Sequence, residues 1–228
     1  MDRPGFGRSD PAPGRRIVDW PDDARQVLDA LGLGEVRVLA LSAGVPYALA
    51  LARALPDRVR RVAAVGASPP LDVPRPWPPV PGALRSRVLR PGALSTALSL
   101  PLFGPTAIRP PLMSSYLRVR LGPPDRRLLG RPEVRSTLDE TFAEGLRQGW
   151  RSGAYDRALL RRPWGFPLTE VPRPVKFWHG RVDWQAPLPG ARLLATAIPM
   201  AGLRVLSGEG HFLGFDHGAE ILTELSTT

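Results

Sequence analysis

Ser42 carries the sharpest chemical signal in the chain. It lies in Val36-Arg37-Val38-Leu39-Ala40-Leu41-Ser42-Ala43-Gly44, and Val45-Pro46-Tyr47-Ala48-Leu49-Ala50-Leu51-Ala52 follows. The β-branched and aliphatic run before the serine reads as a buried parallel strand, and the Ala/Leu-rich run after it as a helix. A serine on a sharp turn between the two would push its hydroxyl out at the carboxyl end of a sheet. Small residues at Ala40 and Gly44 let the strand and helix backbones pass close together there. A serine hydroxyl is a weak nucleophile until a base takes its proton, so a nucleophilic role for Ser42 needs a base brought to the same place.

Two later loops supply candidates. After Val175-Lys176-Phe177-Trp178 comes His179-Gly180-Arg181-Val182-Asp183-Trp184-Gln185-Ala186-Pro187, and after Leu203-Arg204-Val205-Leu206 comes Ser207-Gly208-Glu209-Gly210-His211-Phe212. In a parallel sheet the carboxyl ends of all strands face one way, so Ser42, Asp183 and His211 are expected to converge on one rim. Asp72, just after another strand, competes with Asp183. His179, at a strand end, reads as structural, and His217 as a solvent-facing residue leading into the last helix. Glu209 reads as shaping the turn before His211. Ser86, Ser95, Ser114 and Ser115 have no strand-turn-helix context.

The elements that must position these groups follow from periodicity. Residues 19–33 read as a helix, with Pro21 in the first turn, Ala24, Val27, Leu28 and Leu31 on one face, and Gly32 and Gly34 as the stop. Pro56-Asp57-Arg58 breaks into a strand over 59–67. Helices alternating with buried-type strands predict a parallel α/β sheet. Residues 69–132 then hold more than half of the 28 prolines, around short apolar pieces such as 93–98. Helices are expected over 133–150, on Val134, Leu138, Phe142 and Leu146, and over 154–162. The block 69–169 reads as a Pro-broken, mostly helical insertion into a core formed by 1–68 and 170–228. The core resumes with a strand at 175–178, a helix over 190–198, a strand at 203–206 and a terminal helix over 219–225.

With 228 residues, 43% of them hydrophobic, the chain can bury a sizeable core. The absence of cysteine excludes disulfides, thiolate metal sites and a cysteine nucleophile. No cofactor or metal motif is found, so none is expected. No apolar run reaches membrane-span length and Met1-Asp2-Arg3-Pro4-Gly5 is no signal peptide, so the expected location is the cytoplasm. The net charge of +10 comes almost wholly from arginine, Lys176 being the one lysine. The arginines are scattered, with no basic stripe interleaved with aromatics, so a nucleic-acid partner is not expected.

The segments DRPGFGRSDP (2–11), LSAGVPYALALA (41–52), PDRV (56–59), WHGRVDWQAP (178–187) and GEGHF (208–212) together resemble the α/β-hydrolase fold superfamily. The resemblance spans nearly the whole chain, keeps the order Ser, Asp, His, and puts the insertion where that family has its cap. Ala40 stands where its G-x-S-x-G elbow has the first glycine. It implies Ser42 as nucleophile, His211 as general base and then acid, and Asp183 as the group fixing the imidazole tautomer. The backbone N–H of Ala43 would hold the oxyanion. The partner implied is a small-molecule acyl substrate. The activity implied is cleavage of an ester-type acyl bond through an acyl-enzyme, with lactones, thioesters, amides and C–C bonds beside a carbonyl as related chemistry. A serine rather than an aspartate on the elbow speaks against attack on alkyl carbon. Trp77, Phe103, Leu112, Met113, Tyr116, Phe142, Trp150, Trp164 and Phe166 could line an acyl pocket, or simply pack the insertion onto the sheet.

In the resembled family the DRPGFGRS pattern follows the fourth strand, whereas here it begins at residue 2. The expectation is that the first four strands are missing, with the His-Gly turn that gives the second oxyanion donor. The strand before Ser42 would then be an unpaired apolar edge, and one lost donor would cost about 10²- to 10³-fold in turnover. Two origins fit: a start site assigned too late in a complete hydrolase, or a truncated, catalytically impaired relative acting as a binding protein or decayed gene product.

Overall fold

The computed structural model describes residues 1–70, 117–118, 121–149 and 151–227. Where β-branched and aliphatic residues run together the chain forms strands β1 (Val36–Leu41), β2 (Val59–Val65), β3 (Val175–Gly180) and β4 (Ala201–Leu206). The helices are α1 (Trp20–Ala30), α2 (Val45–Ala54), α3 (Pro123–Leu128), α4 (Pro132–Gly145), α5 (Arg151–Leu160), α6 (Leu188–Ala197) and α7 (Gly214–Ser226).

The strands make one parallel sheet in the order β1-β2-β3-β4. Ala40 pairs with Ala64, Ala64 with Phe177, and Phe177 with Leu203. Each crossover steps in the same direction, so right-handed connections lay α2 and α6 on the same face. There α2 packs on β1 and β2, and α6 on β3 and β4. The other face carries Ala63, Val65 and Trp178, and α7 closes it with Ile221 and Leu225, beside Leu213. Phe177, Val62 and Ala64 are fully buried within the sheet. Burial of a side chain such as Phe177 contributes about 1.5–3 kcal/mol. α1 packs on α2, the Trp20 ring meeting Tyr47 edge-on at 5.9 Å. Thus the α/β architecture expected from periodicity is the one observed.

Element ends differ from the sequence reading for local reasons. The helix expected over 133–150 stops at Gly145, because Gly145 and Gly149 interrupt the apolar spacing and Gly149 turns at φ 97°. The terminal helix starts at Gly214, a turn earlier than periodicity indicated. The apolar piece at 93–98 lies outside the described residues, as do Asp72, Trp77, Ser86, Phe103, Leu112, Met113, Ser114, Ser115, Tyr116 and Trp150.

Two compact units emerge. The sheet unit holds Arg16–Pro69, Leu121–Leu128 and Trp164–Thr228. The described parts of Met1–Arg15, Pro70–Arg120 and Leu129–Pro163 form the other. In the second unit the amino-terminal loop is tied to α5 through buried Asp156, which receives Arg3 at 2.9 Å and Arg15 at 3.1 Å. Gln148 Nε2 donates to the carbonyls of Gly7 and Ser9. Trp164 and Phe166, candidates for an acyl pocket, belong instead to the sheet unit, where Trp164 is buried and Arg53 stands 5.9 Å from the Phe166 ring centre. No helix among the described residues is long and apolar enough to cross a membrane.

Candidate active site

β1 delivers Ser42 straight into a helical turn, Ser42–Gly44, that continues as α2. Ser42 has φ 47°, the one positive φ on a non-glycine residue among those described. That conformation costs about 1–3 kcal/mol and persists only where surrounding packing holds it. Packing does hold it: Val45 to Ala52 are all buried, and a Cβ built on Gly44 would touch Ala40 Cβ at 3.9 Å. A side chain as small as alanine at 44 would thus reach ordinary van der Waals contact with Ala40 across the turn. Ala43 lies in the first turn, where backbone N–H groups have no partner within the helix.

Asp183 leaves the carboxyl end of β3 on a turn built by its own side chain. Oδ1 accepts the backbone N–H of Gln185 and of Ala186, each at 2.8 Å. Oδ2 is left for His211, whose Nδ1–H donates to it at 2.8 Å. On the far side of that ring, Nε2 is 2.9 Å from Ser42 Oγ, and with the proton on Nδ1 it accepts from the serine O–H. The three side chains, 28 and 169 residues apart pairwise along the chain, thus form one hydrogen-bonded row at the carboxyl rim. Such a row can draw a proton from a hydroxyl, store it on an imidazole and stabilise the cation with a carboxylate.

The residues set aside in the sequence occupy supporting places. His179 is fully buried and donates from Nε2 to the Ala186 carbonyl at 2.6 Å, bracing the Asp183 turn. Burial holds its basicity below the ordinary histidine range despite Asp183 at 3.7 Å, so that contact is not an ion pair. Glu209 accepts the Val182 N–H on its carbonyl, linking the two site loops. Its carboxylate faces His217 at 3.4 Å, so His217 stands between Glu209 and Glu220 rather than free in solvent.

Sequence reasoning missed two positions. Gly66, ending β2 at φ 62°, lies against the His211 ring: a Cβ there would come within 3.0 Å of Nδ1 and Cε1. Asp125, in α3, is fully buried and accepts the backbone N–H groups of His211 and Phe212. A glycine closing a strand gave a faint signal for the first; nothing in its local pattern marked the second. Among the described residues no three His, Asp or Glu side chains cluster as a metal site would require. A cavity of about 400 Å³ lined by Glu35, Arg37, Arg60, Arg61 and Thr227 lies at the amino ends of β1 and β2, away from Ser42.

The comparisons with known proteins agree with this architecture. A relative, the 2-hydroxymuconate semialdehyde hydrolase of Pseudomonas putida, is 28% identical over 215 residues, 93% of this chain and 69% of that protein. The solved bromoperoxidase from Bacillus anthracis superposes with a TM-score of 0.70 at 23% identity, covering 98% of this chain and 77% of that one. A thermophilic esterase from Thermogutta terrifontis gives 0.66 at 22% identity, covering 98% and 78%. At such identities the solved structures speak for the fold alone. The family model described as alpha/beta hydrolase fold matches residues 1–218, and with a parallel sheet that turns through Ser42 into its first crossover helix, the chain belongs to that family.

Proposed function

We propose that the protein is a serine hydrolase that cleaves an ester-type acyl bond with Ser42, His211 and Asp183. The observation that carries this is the unbroken row of hydrogen bonds, 2.9 Å from Ser42 to His211 and 2.8 Å from His211 to Asp183. Ser42 Oγ attacks the substrate carbonyl carbon while its proton passes to His211 Nε2. The tetrahedral oxyanion is held by the Ala43 N–H, and Asp183 stabilises the imidazolium through Nδ1–H. Collapse of the intermediate breaks the bond to the leaving alcohol, which takes the proton from Nε2 and leaves an ester on Ser42. Water then attacks that ester with His211 again as base, releasing the acid and restoring the serine. In this reading the insertion 69–169 is the cap that sets which acyl group is taken.

A second substrate class, C–C bonds beside a carbonyl, draws support from the name of the Pseudomonas putida relative. It uses the same three residues with a carbon leaving group. One experiment tests the shared core. The chain is incubated with a fluorophosphonate probe and with p-nitrophenyl esters, beside Ser42→Ala. Covalent labelling and turnover that vanish in Ser42→Ala are expected. Turnover that survives the substitution overturns the serine mechanism, and a folded parent that neither labels nor turns over favours a non-catalytic binding role.

A further inference from the structure

Helix α3 falls in the stretch that the sequence reads as insertion, yet its residues belong to the sheet unit. Asp125 sits in this helix, wholly buried. A buried carboxylate is tolerated only where its oxygens find donors. Here Oδ2 accepts the His211 N–H at 3.0 Å and Oδ1 the Phe212 N–H at 2.8 Å. Gly210 lies flat on the same carboxylate, since a Cβ there would be 2.3 Å from Oδ2. Three consecutive residues are thus gripped by one side chain, and the middle one is His211.

The rest of the segment reaches the other loop. Arg126 is anchored by its Nε on the Leu121 carbonyl at 2.7 Å, and its guanidinium stands 5.5 Å from the Trp184 ring centre. A Cβ on Gly122 would meet the Val182 carbonyl at 2.9 Å. Residues 121–128 therefore touch the loop of Asp183 as well as that of His211.

We propose that Asp125 is a positioning residue for His211, holding the backbone of its loop so that the imidazole stays between Asp183 and Ser42; this rests on the triad reading above. The carboxylate gives each of the two N–H donors its own oxygen, so both consecutive residues are held from one side chain. Burial pushes the Asp125 carboxyl above its ordinary range, with Asp183 adding to the push, while the two N–H groups and His211 pull it back. Its environment is therefore set by the site itself. Asn at this position keeps the volume but turns an amide N–H toward a backbone N–H.

The test uses the whole chain and Asp125→Asn, with Gly210→Ala as a second variant that crowds the carboxylate from the other side. Fluorophosphonate labelling of Ser42, counted per folded molecule by near-ultraviolet circular dichroism, is expected to slow about 10²-fold in both, the usual cost of an ångström-scale displacement. A second readout is the downfield proton resonance of His211 Nδ1–H, expected in the parent and lost or moved in Asp125→Asn. Labelling at the parental rate per folded molecule, labelling that falls only in step with lost fold, or an unchanged resonance each overturn the proposal. Should the parent not label at Ser42, the hydrolase reading falls and the resonance alone decides for or against Asp125.

Discussion

His179 illustrates how burial and charge compete at a single residue. Burial lowers its basicity and Asp183 raises it, and burial prevails, leaving the ring below the ordinary value of 6.5. The unfolded chain therefore takes up a proton at this histidine at a pH where the folded one does not. Stability from this group is full above about pH 6.5 and is lost as the pH falls below it, toward the depressed folded value. Replacing it by glutamine, which can still donate to the Ala186 carbonyl, removes the proton. Urea unfolding at about pH 7.5 and about pH 5.5 is expected to show a smaller acid loss for His179→Gln than for the parent; an equal loss would assign the acid sensitivity elsewhere. Ser42, Asp183 and His211 were legible because each is a polar residue in a telling local context. Asp125 was not, because its partners are backbone N–H groups 86 and 87 residues away.

Among the elements, the amino-terminal loop meets α5 at a buried carboxylate, and Tyr155 of α5 also donates to the Arg15 carbonyl. Asp156 is 3% exposed and takes both Arg3 and Arg15, the latter's side chain 8% exposed. Removing one partner of a buried ion pair costs about 3–5 kcal/mol. Asp156→Ala is expected to lower the unfolding free energy of its unit by about that much, seen as a lower urea midpoint, and to expose the 1–15 loop to limited proteolysis. Asp156→Asn should do so less, since its side-chain oxygen still accepts. A midpoint unmoved by Asp156→Ala would show that the arginines find other partners. The sequence marked 2–11 only as a segment that carries the family resemblance, for an ion cluster bridging residues 141 and 153 apart has no local signature. The end of α4 at Gly145 was readable in principle, as two glycines outweigh the spacing of Leu146.

For the whole molecule the exposed leucines of β1 matter most. Among the described residues β1 is an edge strand, with Leu39 40% and Leu41 56% exposed. Leu39 pairs in register with Ala63 and Leu41 with Val65, so both lie on the α7 face of the sheet, and apolar side chains left exposed there can drive association between chains. Leu39→Lys puts a charge in that exposed apolar patch while leaving the turn at Ser42 untouched. Light scattering at matched concentration is expected to fall several-fold, with Ser42 labelling per folded molecule unchanged. Scattering equal to that of the parent would mean that association runs through another surface.

By itself the sequence determined the alternation of strands and helices, the parallel sheet and three residues with the right chemistry, because hydrophobic period and turn composition are local properties. Only the tertiary structure decided how those residues meet. It set the strand order, moved 121–128 and Trp164 into the sheet unit, and made Gly66 and Asp125 neighbours of His211. Those contacts join segments far apart in the chain through backbone atoms and close packing. A backbone N–H is the same at nearly every residue, so no pattern of side chains announces which one a distant carboxylate will hold.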